Sequence, residues 1–126
     1  MQRIEDFMQQ FFTQQTEMLC AWLKHSASFT EKFYTPDCIN RKDRDFLLAT
    51  PPETIENIVR LEASAEVVTS GLRFRTMQHR QRYHLQAVGE TWQISCIDME
   101  CCMCHATGKN ESDSAPCMVC KGKGWM

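Results

Sequence analysis

The sequence predicts an α+β fold, a long N-terminal helix packed in a curved antiparallel sheet and followed by a small cysteine-rich tail. Three observations carry this reading. Apolar residues recur at three- and four-residue intervals through the first 25 positions, the period changes to two after Pro51-Pro52, and the last 26 residues hold two Cys-x-x-Cys pairs. A chain of 126 residues suits one core of moderate size, with residues 1–100 forming the α+β domain and 101–126 a separate module. Hydrophobic residues at 43% and charged residues at 24% are in the ordinary range for a soluble globular protein.

Residues 2–25 read as one helix. Ile4, Phe7, Met8, Phe11, Phe12, Met18, Leu19, Trp22 and Leu23 share one face, and Gln9, Gln10, Gln14, Glu17 and Lys24 the other. Such a stripe buries itself against a sheet. Ser28 followed by Glu31 has the spacing of a capping box, which opens a short second helix over Phe29–Tyr34. Thr35-Pro36-Asp37 is expected to stop it. The charge run Asn40–Asp45 reads as a solvated loop leading into a helical turn at Phe46-Leu47-Leu48, and Thr50-Pro51-Pro52-Glu53 closes the helical half.

From Ile55 to Thr69 the alternation of Val59, Leu61, Ala63, Ala65 and Val67 predicts one long strand, bent partway, with these residues inward. Ser70-Gly71 is a hairpin signal, after which Leu72–Val88 forms a second strand with Met77, His79, Tyr83, Leu85 and Ala87 inward and Arg82 and His84 outward. Gly89-Glu90 makes the next turn. Trp92, Ile94 and Cys96 then point inward, and a change of phase toward Ile97 and Met99 predicts a β-bulge.

In the tail, Cys101 and Cys104 form the first pair, Cys117 and Cys120 the second, and 12 residues separate them. Two residues between cysteines let one turn aim both sulfurs at one ion, and zinc takes four such donors at tetrahedral corners. One structural Zn²⁺ held by Cys101, Cys104, Cys117 and Cys120 is therefore the expected cofactor. Disulfides and a redox role for Cys101-Cys102 or Cys117-Cys120 are the alternatives, and Cys102 or His105 could replace one of the four ligands. No secretory leader is visible and no apolar run approaches the ~20 residues of a membrane span, so a cytoplasmic location is expected, where metal explains eight cysteines better than bridges do. The segment also repeats: Cys101-x-x-Cys104-His-Ala-Thr-Gly108 aligns with Cys117-x-x-Cys120-Lys-Gly-Lys-Gly124 at an offset of 16. The glycines allow backbone amides to turn toward the sulfurs.

This tail resembles the cysteine-rich zinc module of DnaJ-type chaperones, whose unit is Cys-x-x-Cys-x-Gly-x-Gly. Its second half matches that unit fully, and the first departs at Ala106. With no J-domain and two units instead of four, the resemblance implies metal binding and not chaperone activity. The order of elements over residues 1–100, with Arg82-Tyr83-His84-Leu85, the Gly89 turn and Trp92-x-Ile94, resembles the nuclear transport factor 2-like fold; a cystatin-like sheet on a single helix is the alternative. That resemblance implies a cone with a pocket at its open end, lined here by His79, Tyr83 and Trp22. It also implies a first short strand within residues 35–50 and a homodimer formed through the outer sheet face. Dehydratases and ketosteroid isomerases of this superfamily place a His or Asp inside the cone, which makes His79 and Tyr83 the candidate catalytic residues.

No nucleophile–base pair, phosphate-cradling glycine loop or paired carboxylate motif accompanies them. A formal charge of −2, about −4 once four thiolates hold one zinc ion, does not suit a protein that grips phosphate backbones. Arg73 and Arg75 also fall on the opposite strand face from Arg80 and Arg82. The sequence thus points to a non-enzymatic, zinc-containing binding or interaction protein, whose partner is a protein or a small ligand. A small-molecule enzyme and a nucleic-acid-binding zinc module are the alternatives.

Overall fold

The apolar stripe of the N-terminus builds α1 (Ile4–Cys20), with Glu5 and Asp6 in its first turn, where carboxylates complement the helix dipole. The computed structural model describes residues 1–20, 27–39, 53–73, 77–101, 104, 107–109, 114–118 and 120–125; the side chains at 19, 20, 72, 73 and 77–79 lie outside that description. So do residues 21–25 of the expected first helix, Trp22 among them, and the charge run at 40–45.

Two short helices follow, α2 (Ala27–Phe33) and α3 (Pro36–Ile39). The second helix ends ahead of Thr35-Pro36-Asp37, as the sequence indicates, and Pro36 in addition opens α3. Proline is suited to a first helical turn because its missing N–H needs no partner there, and the Thr35 hydroxyl caps the helix by accepting from the Cys38 amide at 3.2 Å. Between the two helices Tyr34 pairs in parallel with Ile94, and the Thr35 amide donates to the Ile94 carbonyl at 2.9 Å.

The second half is a four-stranded antiparallel open sheet in the order β1 (Thr54–Arg60), β2 (Ser64–Arg73), β3 (Met77–Val88) and β4 (Thr91–Met99). The stretch expected to be one bent strand is thus two. The chain reverses at Leu61–Ala63, where the Leu61 amide donates to the Ser64 carbonyl, and Val59 and Leu61 are 45% and 56% exposed instead of inward. Ser70 and Gly71 do not turn; they sit within the β2–β3 ladder opposite Arg80 and His79. The β3–β4 pairing skips one residue, because His84 faces Cys96 while Leu85 faces Ile94, so Ser95 is the extra residue of a bulge. The bulge comes before Cys96, which moves Cys96 from the expected inner face to the outer one.

The core lies between the inner sheet face and the helices. Ala65, Val67, Tyr83, Leu85, Trp92 and Ile94 meet Phe7, Met8, Phe11 and Phe12 from α1 and Phe29 and Phe33 from α2. Phe11 is the hub: its ring lies 5.6–6.0 Å from those of Phe29, Phe33, Tyr34 and Tyr83. Fully burying one such ring is worth about 2 kcal/mol, so this cluster is the main attachment of α1. The start of α1 is tied down separately, since the Gln2 amide donates to the Glu90 carbonyl and the Trp92 indole to the Gln2 carbonyl. Among the described residues no helix is long and apolar enough to cross a membrane.

Candidate metal centre

From β4 the chain enters the tail without losing its pairing with the sheet: the Glu100 amide donates to the Arg80 carbonyl at 2.9 Å. Beyond it the 16-residue repeat becomes a reciprocal structure. The Cys101 amide donates to the Gly124 carbonyl, and its counterpart, the Cys117 amide, donates to the Gly108 carbonyl, both at 2.9 Å. Glu100 bridges Trp125, and Lys109 bridges Pro116, in the same exchange of halves. Each half therefore supplies the partner that the other lacks.

This exchange brings four sulfurs together. Cys101 Sγ lies 3.8 Å from Cys117 Sγ, and Cys104 Sγ lies 3.6 Å from Cys120 Sγ. All four thiols are buried and lie within 4.8 Å of one another, an arrangement that could bind one metal ion. The six described cysteine side chains are all thiols.

Glycine makes the convergence possible. The Gly124 amide donates to Cys120 Sγ at 3.1 Å, and the Gly108 amide does the same for Cys104. Both glycines hold positive φ, 82° and 76°, as does Gly122 at 81°. At Gly108 space is decisive as well: an added Cβ would lie 2.5 Å from the Gly122 carbonyl oxygen. Burial raises the Cys104 pKa and the Gly108 amide opposes this, but the neighbouring thiols carry it up to about 11. For Cys120 burial acts upward too, yet the Gly124 amide and the other three sulfurs bring it down to about 7.

No protein-family model, no curated protein and no solved structure matches the chain.

The tail is also docked on the sheet. The Trp125 ring faces the guanidinium groups of Arg82, at 4.8 Å, and Arg80, at 5.7 Å. Arg80 donates to Glu56 at 2.9 Å and lies 3.8 Å from Glu100, while Arg82 donates to Asp98 at 2.9 Å. Arg80 and Arg82 are therefore matched by carboxylates and face an indole.

Of the other candidate residues, Cys102, His105, Trp22 and the His79 side chain lie outside the described residues. Tyr83 is in the core, 2% exposed, and its hydroxyl donates to Glu53 Oε2 at 2.7 Å; the Thr69 hydroxyl donates to the same oxygen at 2.8 Å. Burial raises the Glu53 pKa, and these two hydrogen bonds oppose the rise. A cleft of about 610 Å³ lies between α1 and α2, lined by residues that include Gln9, Thr13, Glu17, Phe29 and Lys32, and Tyr83 does not line it. Sequence reasoning missed Glu53, whose partners are 16 and 30 residues away. It also missed the association of Arg82, His84, Cys96 and Asp98 on the outer sheet face.

Proposed function

We propose that the chain is a non-enzymatic binding or interaction protein in which Cys101, Cys104, Cys117 and Cys120 hold one structural zinc ion. The observation that carries this is the spacing of the sulfurs. Zinc–thiolate bonds of about 2.3 Å at tetrahedral angles imply sulfurs about 3.8 Å apart. The separations of 3.8 and 3.6 Å fit that polyhedron and are far too long for a disulfide, whose sulfurs are about 2.0 Å apart. Four protein ligands leave no position for water, which makes the role structural and not catalytic. The ion's part is to lock the two halves of the tail together, since a segment this short has little core of its own.

The reading extends to the rest of the chain. Helices on one face of an antiparallel meander support a nuclear transport factor 2-like domain for residues 1–100, with the part of its outer sheet face that Trp125 does not occupy offered to a second copy or a protein partner. Carboxylates matched to Arg80 and Arg82 support the view that phosphate backbones are not its target. Native mass spectrometry of freshly reduced, exhaustively desalted protein is the test. It should report one zinc ion per chain, and a metal-free chain in material never exposed to chelators would overturn the assignment.

A further inference from the structure

We propose that His84, Cys96 and Asp98 form a second metal site, on the outer face of the sheet, for a divalent transition ion of the zinc class. The three residues come from two strands. His84 on β3 is the register partner of Cys96 on β4, and Asp98 lies two residues further along the same face. The Ser95 bulge creates this alignment, for without the extra residue Cys96 and Asp98 would continue the inward parity of Trp92 and Ile94.

The donor atoms are already gathered. One nitrogen of His84, the Cys96 sulfur and one Asp98 oxygen lie within 4.8 Å of one another. His84 Nε2 is 2.6 Å from Asp98 Oδ2, and Cys96 Sγ is 3.6 Å from Asp98 Oδ1. On the far side of the ring, His84 Nδ1 lies 3.5 Å from Glu66 Oε1. A carboxylate on one imidazole nitrogen orients the ring and presents the other to an ion, an arrangement that recurs around metal-bound histidines. The His84 and Asp98 side chains are 28% and 23% exposed, so an ion can reach them from solvent.

The donor set selects the ion. One nitrogen, one sulfur and one oxygen suit zinc, cobalt or nickel and not magnesium or calcium, which take oxygen ligands. Three protein ligands leave a fourth position for water or an exogenous ligand, unlike the closed four-cysteine cluster. Arg82 competes for this site, because its Nη2 donates to the same Asp98 oxygen at 2.9 Å. Binding requires that contact to loosen, so the site is weaker than the four-cysteine one and its affinity is limited by the guanidinium. This inference does not depend on zinc in the tail.

The test is a titration of the full-length protein, loaded with one tight zinc equivalent and desalted, with Co²⁺ at pH 7.5. A second metal equivalent should bind, with a thiolate-to-cobalt charge-transfer band, while the first equivalent of zinc stays with the protein on gel filtration. The C96A variant should lose that band, and H84Q and D98N should each weaken the second equivalent at least tenfold with circular dichroism unchanged. R82Q should tighten it. The absence of any bound Co²⁺ equivalent that depends on His84, Cys96 and Asp98, a band that survives in C96A, or an affinity indifferent to R82Q would each overturn the proposal.

Discussion

Glycine positions in this chain differ in what they tolerate, and two of them can be ranked in advance. Gly89 has φ of 61° with nothing within 4 Å of an added Cβ, whereas at Gly108 the left-handed backbone is combined with a 2.5 Å approach to the Gly122 carbonyl. G89A should therefore cost only the torsional penalty of about 1 kcal/mol, read as a small fall in melting temperature. G108A must displace backbone next to a ligand and should lose at least tenfold in zinc affinity, measured by competition with a chromophoric chelator. Two carboxylates should titrate with opposite sign. Burial holds the Glu53 pKa above its usual 4.5, so its contribution to stability is greatest below that pH and fades as pH rises through the native value. For Asp98, burial acts upward but the hydrogen bonds from His84 and Arg82 prevail and lower the pKa below 3.8; its contribution is present above that value and fades as pH falls through the native one. In urea unfolding at a series of pH values, E53Q and D98N should each remove one of these slopes, and parallel curves for variant and parent would contradict the assignment. The glycines of the tail were legible because their spacing from cysteine repeats. Glu53 was not, because nothing local distinguishes it from any residue that follows a pair of prolines.

Among the elements, the bulge at Ser95 determines most. Its hydroxyl donates to the His84 carbonyl at 3.0 Å, next to the point where the ladder changes register, so the extra residue supplies a hydrogen bond at the irregularity. S95A should cost about 1 kcal/mol in denaturant unfolding, the usual net worth of one such bond. A cost near zero would mean that water replaces the hydroxyl without loss. The sequence shows why a bulge is needed here, since Trp92 and Ile94 demand one parity and Ile97 the other. It does not show which residue is extra, because Ser95 and Cys96 both fit. The β1–β2 reversal was missed for a similar reason: Leu61-Glu62-Ala63 contains no Gly, Pro, Asn or Asp, and Val59 and Leu61 continue an apolar alternation that the structure leaves exposed. At Thr35-Pro36-Asp37 the end of α2 is legible in the sequence, but the new start at Pro36 is not, because proline both ends helices and begins them and only the cap from Thr35 reveals the second role.

For the molecule as a whole, the contacts seen between the tail and the α+β domain among the described residues include the Glu100 amide on the Arg80 carbonyl, the Arg80–Glu100 pair, and the Trp125 ring over Arg80 and Arg82. Among the described residues, the aromatic core around Phe11 contains none from the tail. C117S should therefore release zinc and disorder residues 101–126 while residues 1–100 keep their cooperative unfolding. Collapse of the entire fold on removal of one thiol would contradict this division of labour. Trp125 then acquires a practical meaning. In a W22F variant Trp125 is the reporter, its indole set against two guanidinium groups, and Trp92, with no exposed surface, is a constant background. If the proposed ion holds the tail together, a chelator should leave Trp125 more accessible to acrylamide, and the chain then carries its own fluorescent gauge of metal loading.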